Sequence, residues 1–275
     1  MSDLTGRVAL VTGGGRGIGR AHSHLLASRG AAVLVCDLGV ALDGSGRDLT
    51  VAEAVAEEIR LAGGTADAAT VDISSFAGGQ QAVQAALDAF GRVDIVVNNA
   101  GIAGGAPIDS VEEEMLDTVF AVNFIGTVGV TRAAWPHLRA ARWGRVVNTV
   151  SEVAFDSKMA SQSTLGYGAA KAAVWSATLS LAREGLPHGI TVNAVSPGAR
   201  TRMNEAMFAA AAPPPGLDLD PLHVARLVGW LVSDEAADVT GRIVHAAGGQ
   251  LREYRTQRYG DTDLIARIST ALSQG

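Results

Sequence analysis

A glycine-rich turn, Thr12-Gly13-Gly14-Gly15-Arg16-Gly17-Ile18-Gly19, separates a short apolar run from a helical pattern. No other stretch narrows the possible folds as much. Residues 7–12 read as a strand, and 17–29 as the helix that follows it. Glycine at these positions permits a tight turn and close approach of backbone to a pyrophosphate. The helix start then offers unsatisfied N–H groups to the anion. A merely flexible turn is the alternative, but the strand before and the helix after supply the context such a motif requires.

The alternation continues along the chain. Residues 32–37, 65–71, 93–98, 145–151, 190–195 and 242–246 read as further strands. Most are unbroken apolar runs, as expected of parallel strands covered on both faces. Helical patterns occupy 50–62, 76–90, 112–140, 165–186 and 221–233, and 104–143 holds either one long helix or two. This repetition predicts an α/β protein with a doubly wound Rossmann fold, a parallel seven-stranded sheet and helices on both faces. At 275 residues, one domain spanning 1–275 is expected. It carries an insert at 38–50, a substrate loop at 198–220 and a C-terminal extension at 251–275, with a short helical pattern at 262–272.

Composition removes several classes of function. A hydrophobic content of 48% is ample for a core. A net charge of −6 without a long basic run argues against a nucleic-acid partner. Cys36 is the single cysteine, which leaves neither a disulfide framework nor a cysteine zinc site. The six histidines are scattered without metal-ligand spacing, so no metal is expected. His22 and His24 lie two apart in a helix and point in different directions. No apolar run of about 18 residues suggests a membrane span. Met1-Ser2-Asp3-Leu4 lacks a signal-peptide pattern, so a cytoplasmic protein is expected.

Tyr167 and Lys171 stand one helical turn apart, in a chain with three Tyr and only two Lys among its 22 basic residues. An ammonium near a phenol lowers the phenol pKa from about 10, producing a general acid/base for an alcohol or carbonyl. A chance pair on a solvated helix face is the alternative. Asp37 ends the second strand, 18 residues after Gly19. A carboxylate there accepts hydrogen bonds from ribose hydroxyls and repels a 2′-phosphate, favouring NAD over NADP. Arg16 argues the other way, because a loop arginine can hold that phosphate. Asp37 carries more weight, because Leu38 adds no second cation. A turn cap is the structural alternative for Asp37.

Together these residues resemble the short-chain dehydrogenase/reductase family over about residues 5–250. The matching motifs are Thr12-Gly13-x-x-x-Gly17-x-Gly19, Asp72, Asn98-Asn99-Ala100-Gly101, Asn123, Ser151, Tyr167-x-x-x-Lys171 and Pro197-Gly198. The resemblance implies that Tyr167 transfers the proton, that Lys171 lowers its pKa and binds the nicotinamide ribose, and that Ser151 polarises the substrate oxygen. Asn123 would hold a relay water. Gly13, Arg16, Gly17, Ile18 and Gly19 would cradle the cofactor, with Asp37 and Leu38 at the ribose and Asp72 and Ile73 at the adenine. Asn98, Asn99, Ala100, Gly101, Pro197 and Gly198 would line it, and Thr201 would reach the carboxamide. A homo-oligomer, dimer or tetramer, is implied as well.

Two intervals depart from that pattern. Ser151 to Tyr167 is longer by three residues than usual, which makes Ser161, Ser163 and Thr164 rival hydroxyls, and Thr201 arrives one residue early. Asp37-Leu38-Gly39 with its insert, Thr131-Arg132-Ala133-Ala134-Trp135 and Thr201-Arg202-Met203 are similar to the dehydrogenase domain of multifunctional β-oxidation enzymes. That subgroup covers (3R)-hydroxyacyl-CoA and 17β-hydroxysteroid dehydrogenases, and the hydratase and carrier domains are expected to be absent here. The implied substrate is a hydrophobic secondary alcohol or ketone, either a 3-hydroxyacyl thioester or a hydroxysteroid. A 3-oxoacyl reductase using NADPH and a non-catalytic dinucleotide-binding regulator remain the alternatives.

Val153, Ala154, Phe155, Met159, Met203, Met207 and Phe208 are candidates for an apolar substrate wall, or for ordinary core. Arg202, Arg252, Arg255 and Arg258 can meet a CoA phosphate or lie at a subunit interface. Glu152, beside Ser151, has no role in this pattern.

Overall fold

In the computed structural model, residues 3–41, 45–156, 165–205 and 218–256 are described. The strands are β1 (Val8–Thr12), β2 (Ala32–Cys36), β3 (Thr65–Ala69), β4 (Ile95–Asn98), β5 (Gly144–Thr149), β6 (Ile190–Gly198), β7 (Ile243–Ala247) and β8 (Gln250–Tyr254). The helices are α1 (Gly17–Ser28), α2 (Thr50–Leu61), α3 (Phe76–Phe90), α4 (Glu113–Phe120), α5 (Gly126–Ala141), α6 (Leu165–Gly185) and α7 (Leu222–Leu231). One sheet runs β3-β2-β1-β4-β5-β6-β7-β8. The first seven strands in that order are parallel, as the apolar runs predict. β8 is antiparallel to β7, with Ile243 opposite Tyr254. The expectation of seven parallel strands is therefore corrected to eight strands. The last one is mostly exposed, so it lacks the apolar signature of its neighbours.

Alternation along each strand divides the core in two. Ala9, Val11, Val33, Val35 and Val97 face α1, α2 and α7, which contribute Leu26, Ile59, Val228 and Leu231. Leu10, Leu34, Val96 and Val146 face α3, α5 and α6, which contribute Val83, Val130, Leu138 and Ala182. The sheet is covered on both faces, which explains why its strands read as unbroken apolar runs.

The long helical region is resolved as two helices. A wide π-type turn, Ala121–Ile125, joins α4 to α5. Such turns admit an extra residue and re-aim a side chain. The side chain re-aimed here is Asn123, fully buried, whose amide donates to the carbonyls of Ile102 (3.0 Å) and Val119 (2.9 Å). The order of β1 and β4 reverses the winding direction between them, so a crevice opens at their carboxyl ends.

Candidate active site

A cleft of about 420 Å³ occupies that crevice. Its floor is the glycine turn. Gly13 has φ +61°, and a Cβ on it would lie 2.8 Å from Ala100 Cα. A Cβ on Gly19 would lie 1.9 Å from the Gly13 carbonyl oxygen, so helix and turn meet only because both positions lack side chains. Arg16, at the start of α1, makes no side-chain cap, which leaves the first-turn N–H groups to face an anion. The hydroxyl of Thr149, which lines the cleft, and Asn123 Oδ1 are buried without a partner among the described residues. Open helix donors, a carboxylate at one end and the unpaired Thr149 hydroxyl at the other fit a dinucleotide.

The predicted cofactor residues converge here. Gly13, Arg16, Gly17, Ile18, Gly19, Asp37, Leu38, Asp72 and Ile73 line the cleft, as do Asn99, Ala100, Gly101, Pro197 and Thr201. Asp37 is held by both oxygens, accepting from the backbone N–H of Gly15 (2.9 Å) and of Gly39 (2.8 Å). Asn99 donates to the carbonyls of Thr12 (3.1 Å) and Gly13 (3.0 Å), which fastens the turn to β4.

Two expectations are corrected. Asn98 points away from the cleft and donates to Thr131 Oγ1 (2.9 Å) and Asn148 Oδ1 (2.8 Å). Gly198 abuts β7, where an added Cβ would meet the Ala247 Cβ at 2.5 Å. Neither lines the cleft. In both cases alternation along the strand sends the neighbouring residue to the other face. Thr201 has a second partner set, a capping box with Asn204 that opens the turn Arg202–Asn204.

Tyr167 and Lys171 stand on α6 and line the same cleft. Tyr167 is hydrogen-bonded to Ser151, which follows β5. Lys171 is buried, donates to the Thr149 carbonyl (2.9 Å) and lies 5.6 Å from the Tyr167 ring centroid. Burial pushes its pKa down to about 8. The phenol moves opposite to the sequence expectation. Burial raises it to about 12, opposed by the bond to Ser151, because stripping water from a phenolate outweighs one hydrogen bond. Asn123 does not itself line the cleft. It stands behind Gly101, where a Cβ would meet Asn123 Oδ1 at 2.6 Å.

On the substrate side, Met203 lines the cleft and is 40% exposed. Phe155 instead packs on Trp175 (4.7 Å) and Tyr254 (4.3 Å) as core. Arg202 lines the cleft, whereas Arg255 pairs with Glu253 at 2.5 Å. Ser161, Ser163, Thr164, Met159, Met207, Phe208, Arg258 and the helical pattern at 262–272 lie outside the described residues. Sequence reasoning missed Thr149, the acceptor for Lys171, and gave no separate role to Thr12 of the glycine motif, whose hydroxyl accepts from the N–H groups of Asn99 and Ala100 at 3.2 Å each. Strand-end hydroxyls carry no pattern of their own. Among the described residues there is no cluster suited to a metal ion, and no helix is long and apolar enough to cross a membrane.

A switch-point crevice floored by glycines, with Tyr167 and Lys171 on its wall, is of the kind that binds dinucleotides. A sequence profile of the short chain dehydrogenase family matches residues 7–212, and the chain belongs to that family. It is 37% identical over 271 residues to the peroxisomal hydratase-dehydrogenase-epimerase of Neurospora crassa, covering 98% of this chain and 29% of that protein. It is 38% identical over 255 residues to the peroxisomal multifunctional enzyme type 2 of Mus musculus, covering 91% and 33%. The chain thus spans about a third or less of these two relatives. Against the hydroxyacyl-CoA dehydrogenase ChsB1 of Mycobacterium tuberculosis it is 37% identical over 261 residues, covering 91% and 80%. A short chain dehydrogenase structure from Mycobacterium avium superposes with a TM-score of 0.82 at 37% identity, covering 98% and 96%.

Proposed function

We propose that this chain, as a single domain over 1–275, is an NAD-dependent dehydrogenase acting on a hydrophobic secondary alcohol or ketone. The observation that carries the reading is the convergence of Tyr167, bonded to Ser151, with buried Lys171 on one wall of the glycine-floored cleft. The glycine turn and Asp37 would hold the pyrophosphate and ribose, Asp72 and Ile73 the adenine end, and Lys171 the second ribose. The hydride chemistry is supplied by the nicotinamide when it is bound.

The remaining work belongs to side chains. Ser151 orients and polarises the substrate oxygen. Tyr167, with its pKa raised to about 12, is protonated at neutral pH and so able to donate to a carbonyl oxygen. To act in the alcohol-oxidising direction it must surrender that proton, which the Ser151 bond and a cationic Lys171 favour. Asn123, with its buried oxygen unpaired, is the residue that would hold a relay water.

Asp37 supports NAD over NADP. Its carboxylate, fixed by two backbone bonds at the end of β2, would repel a 2′-phosphate on the adenosine ribose. The relatives' names, together with Met203 and Arg202 at the cleft, favour a 3-hydroxyacyl thioester over a hydroxysteroid. A homo-oligomer is the family-based reading, supported by exposed Leu179 and Leu186 at the end of α6. Cytoplasmic residence is supported by a lone, buried thiol at Cys36.

The test is formation of reduced nicotinamide with NAD or NADP across (3R)-hydroxyacyl-CoAs, hydroxysteroids and simple hydrophobic secondary alcohols. Turnover of one class with NAD is expected. Preference for NADP would overturn the Asp37 argument, and no turnover despite NAD binding would overturn the enzymatic reading.

A further inference from the structure

Arg16 is the one basic residue of the glycine turn, and it lines the cleft beside Asp37, Leu38 and Val40. The other cleft-lining cations among the described residues stand elsewhere. Lys171 is engaged with Thr149, and Arg202 opens the turn after β6. Arg16 is therefore the group that would receive a phosphate on the ribose held by Asp37, if its guanidinium were free to turn there.

Its guanidinium is engaged by the 38–50 insert. Nη1 donates to the Val40 carbonyl at 3.2 Å, and Nη2 lies 3.5 Å from Asp48 Oδ2. Arg16 lines the cleft and Asp48 does not, so the contact draws the guanidinium toward a residue outside the lining. Asp48 is itself held by local hydrogen bonds. The Asp48 N–H donates to the Gly39 carbonyl (3.1 Å), and Oδ1 accepts from the N–H (3.1 Å) and hydroxyl (2.6 Å) of Thr50. Gly39 has φ +73°, and a Cβ on it would lie 2.1 Å from the Asp48 carbonyl oxygen, so the backbone of Gly39 lies directly against Asp48. The Gly39 N–H in turn holds Asp37. Asp37, Gly39, Asp48 and Arg16 are thus joined in one chain of contacts.

We propose that Asp48 is a cofactor-specificity residue: it anchors Arg16 away from the ribose, so that the insert enforces discrimination against a 2′-phosphate beyond what Asp37 alone provides. This rests on the NAD reading above. Asp37 acts by charge at the ribose, whereas Asp48 acts by occupying the cation that would offset that charge.

The substitution that isolates the effect is Asp48→Asn. Asparagine keeps an oxygen for the Thr50 cap and removes the charge that engages Arg16. Binding of ADP and of 2′,5′-ADP is measured by titration calorimetry on wild type, Asp48→Asn, Arg16→Ala and the double variant. The expected result is a gain of about two- to fivefold in 2′,5′-ADP affinity on Asp48→Asn with ADP binding unchanged, as for release of one half-exposed ion pair. That gain must vanish in the Arg16→Ala background. A gain that persists there would mean that loss of negative charge alone is responsible and would overturn the anchor. So would equal changes for the two ligands. Wild type binding 2′,5′-ADP more tightly than ADP would overturn the Asp37 reading as well, which separates the two failures.

Discussion

Tyr254 donates its phenolic O–H to the carboxylate of Glu152, the residue that follows Ser151. The last strand of the sheet is thereby fastened to the turn that follows Ser151. His245 on β7 lies 3.5 Å from the other Glu152 oxygen, and Phe155 packs against the Tyr254 ring. Glu152, which had no role in the sequence pattern, is the junction. Tyr254→Phe keeps the ring packing and removes the bond, and should cost about 1–2 kcal/mol in urea unfolding. Combined with Glu152→Ala, the loss should be clearly less than the sum of the single losses, because both act on one contact. Strict additivity would show that the two side chains are not coupled.

Tyr167→Phe tests the proton transfer. The ring packs with Ile102, Val119 and Ala170, so removal of the hydroxyl alone leaves that cluster filled. Turnover should fall by about 10²–10⁴, with nucleotide affinity unchanged in a fluorescence titration. Activity within about tenfold of wild type would exclude Tyr167 as the proton-transferring group.

The parts of this fold that were legible in the sequence are those where one physical rule acts alone. Val33, Val35 and Val97 are buried, their strands are covered on both faces, and apolar runs announce that directly. β8 was not legible, because an exposed edge strand alternates polar residues that also suit a tail. Asn98 and Asn99 are adjacent and chemically identical, and only the direction of the strand end separates the buried bridge to Thr131 from the residue that fastens the glycine turn. The π-type turn at Asn123 sits within a continuous helical pattern and leaves no mark on periodicity. The tie between Arg16 and Asp48 depends on how a Gly- and Asp-rich insert folds, which pairwise sequence spacing does not encode.

His22 is fully buried in α1, and both ring nitrogens lack a partner among the described residues. Burial pushes its pKa down to about 3 from 6.5. The sign follows from linkage. Below about pH 6.5 the unfolded chain binds a proton that the folded chain refuses, so stability is lost as pH falls toward 3. Between pH 7 and about pH 4.5 the wild type should lose about 2–3 kcal/mol more than His22→Leu in denaturant unfolding. Parallel losses in the two proteins would show that the imidazole is hydrated or protonated in the native state.

Lys171 gives a dependence of the same sign in an alkaline window. Burial lowers its pKa from 10.5 to about 8. Between those values the unfolded chain holds a proton that the folded chain has released, so stability rises with pH through this interval. Below pH 8 both states are protonated and the full cost of burying the ammonium is present. Lys171→Met keeps a long, flexible apolar side chain in that space and abolishes the titration, at the expense of the bond to the Thr149 carbonyl. That lost bond is independent of pH and shifts the whole curve without changing its slope. From about pH 7.5 to pH 9.5 the wild type should therefore gain about 2 kcal/mol relative to Lys171→Met in denaturant unfolding. The interval ends below the range in which Tyr167 contributes, since its raised pKa affects stability only above about pH 10. Parallel curves over this range would place a neutralising group beside Lys171 and would remove desolvation as the cause of its lowered pKa.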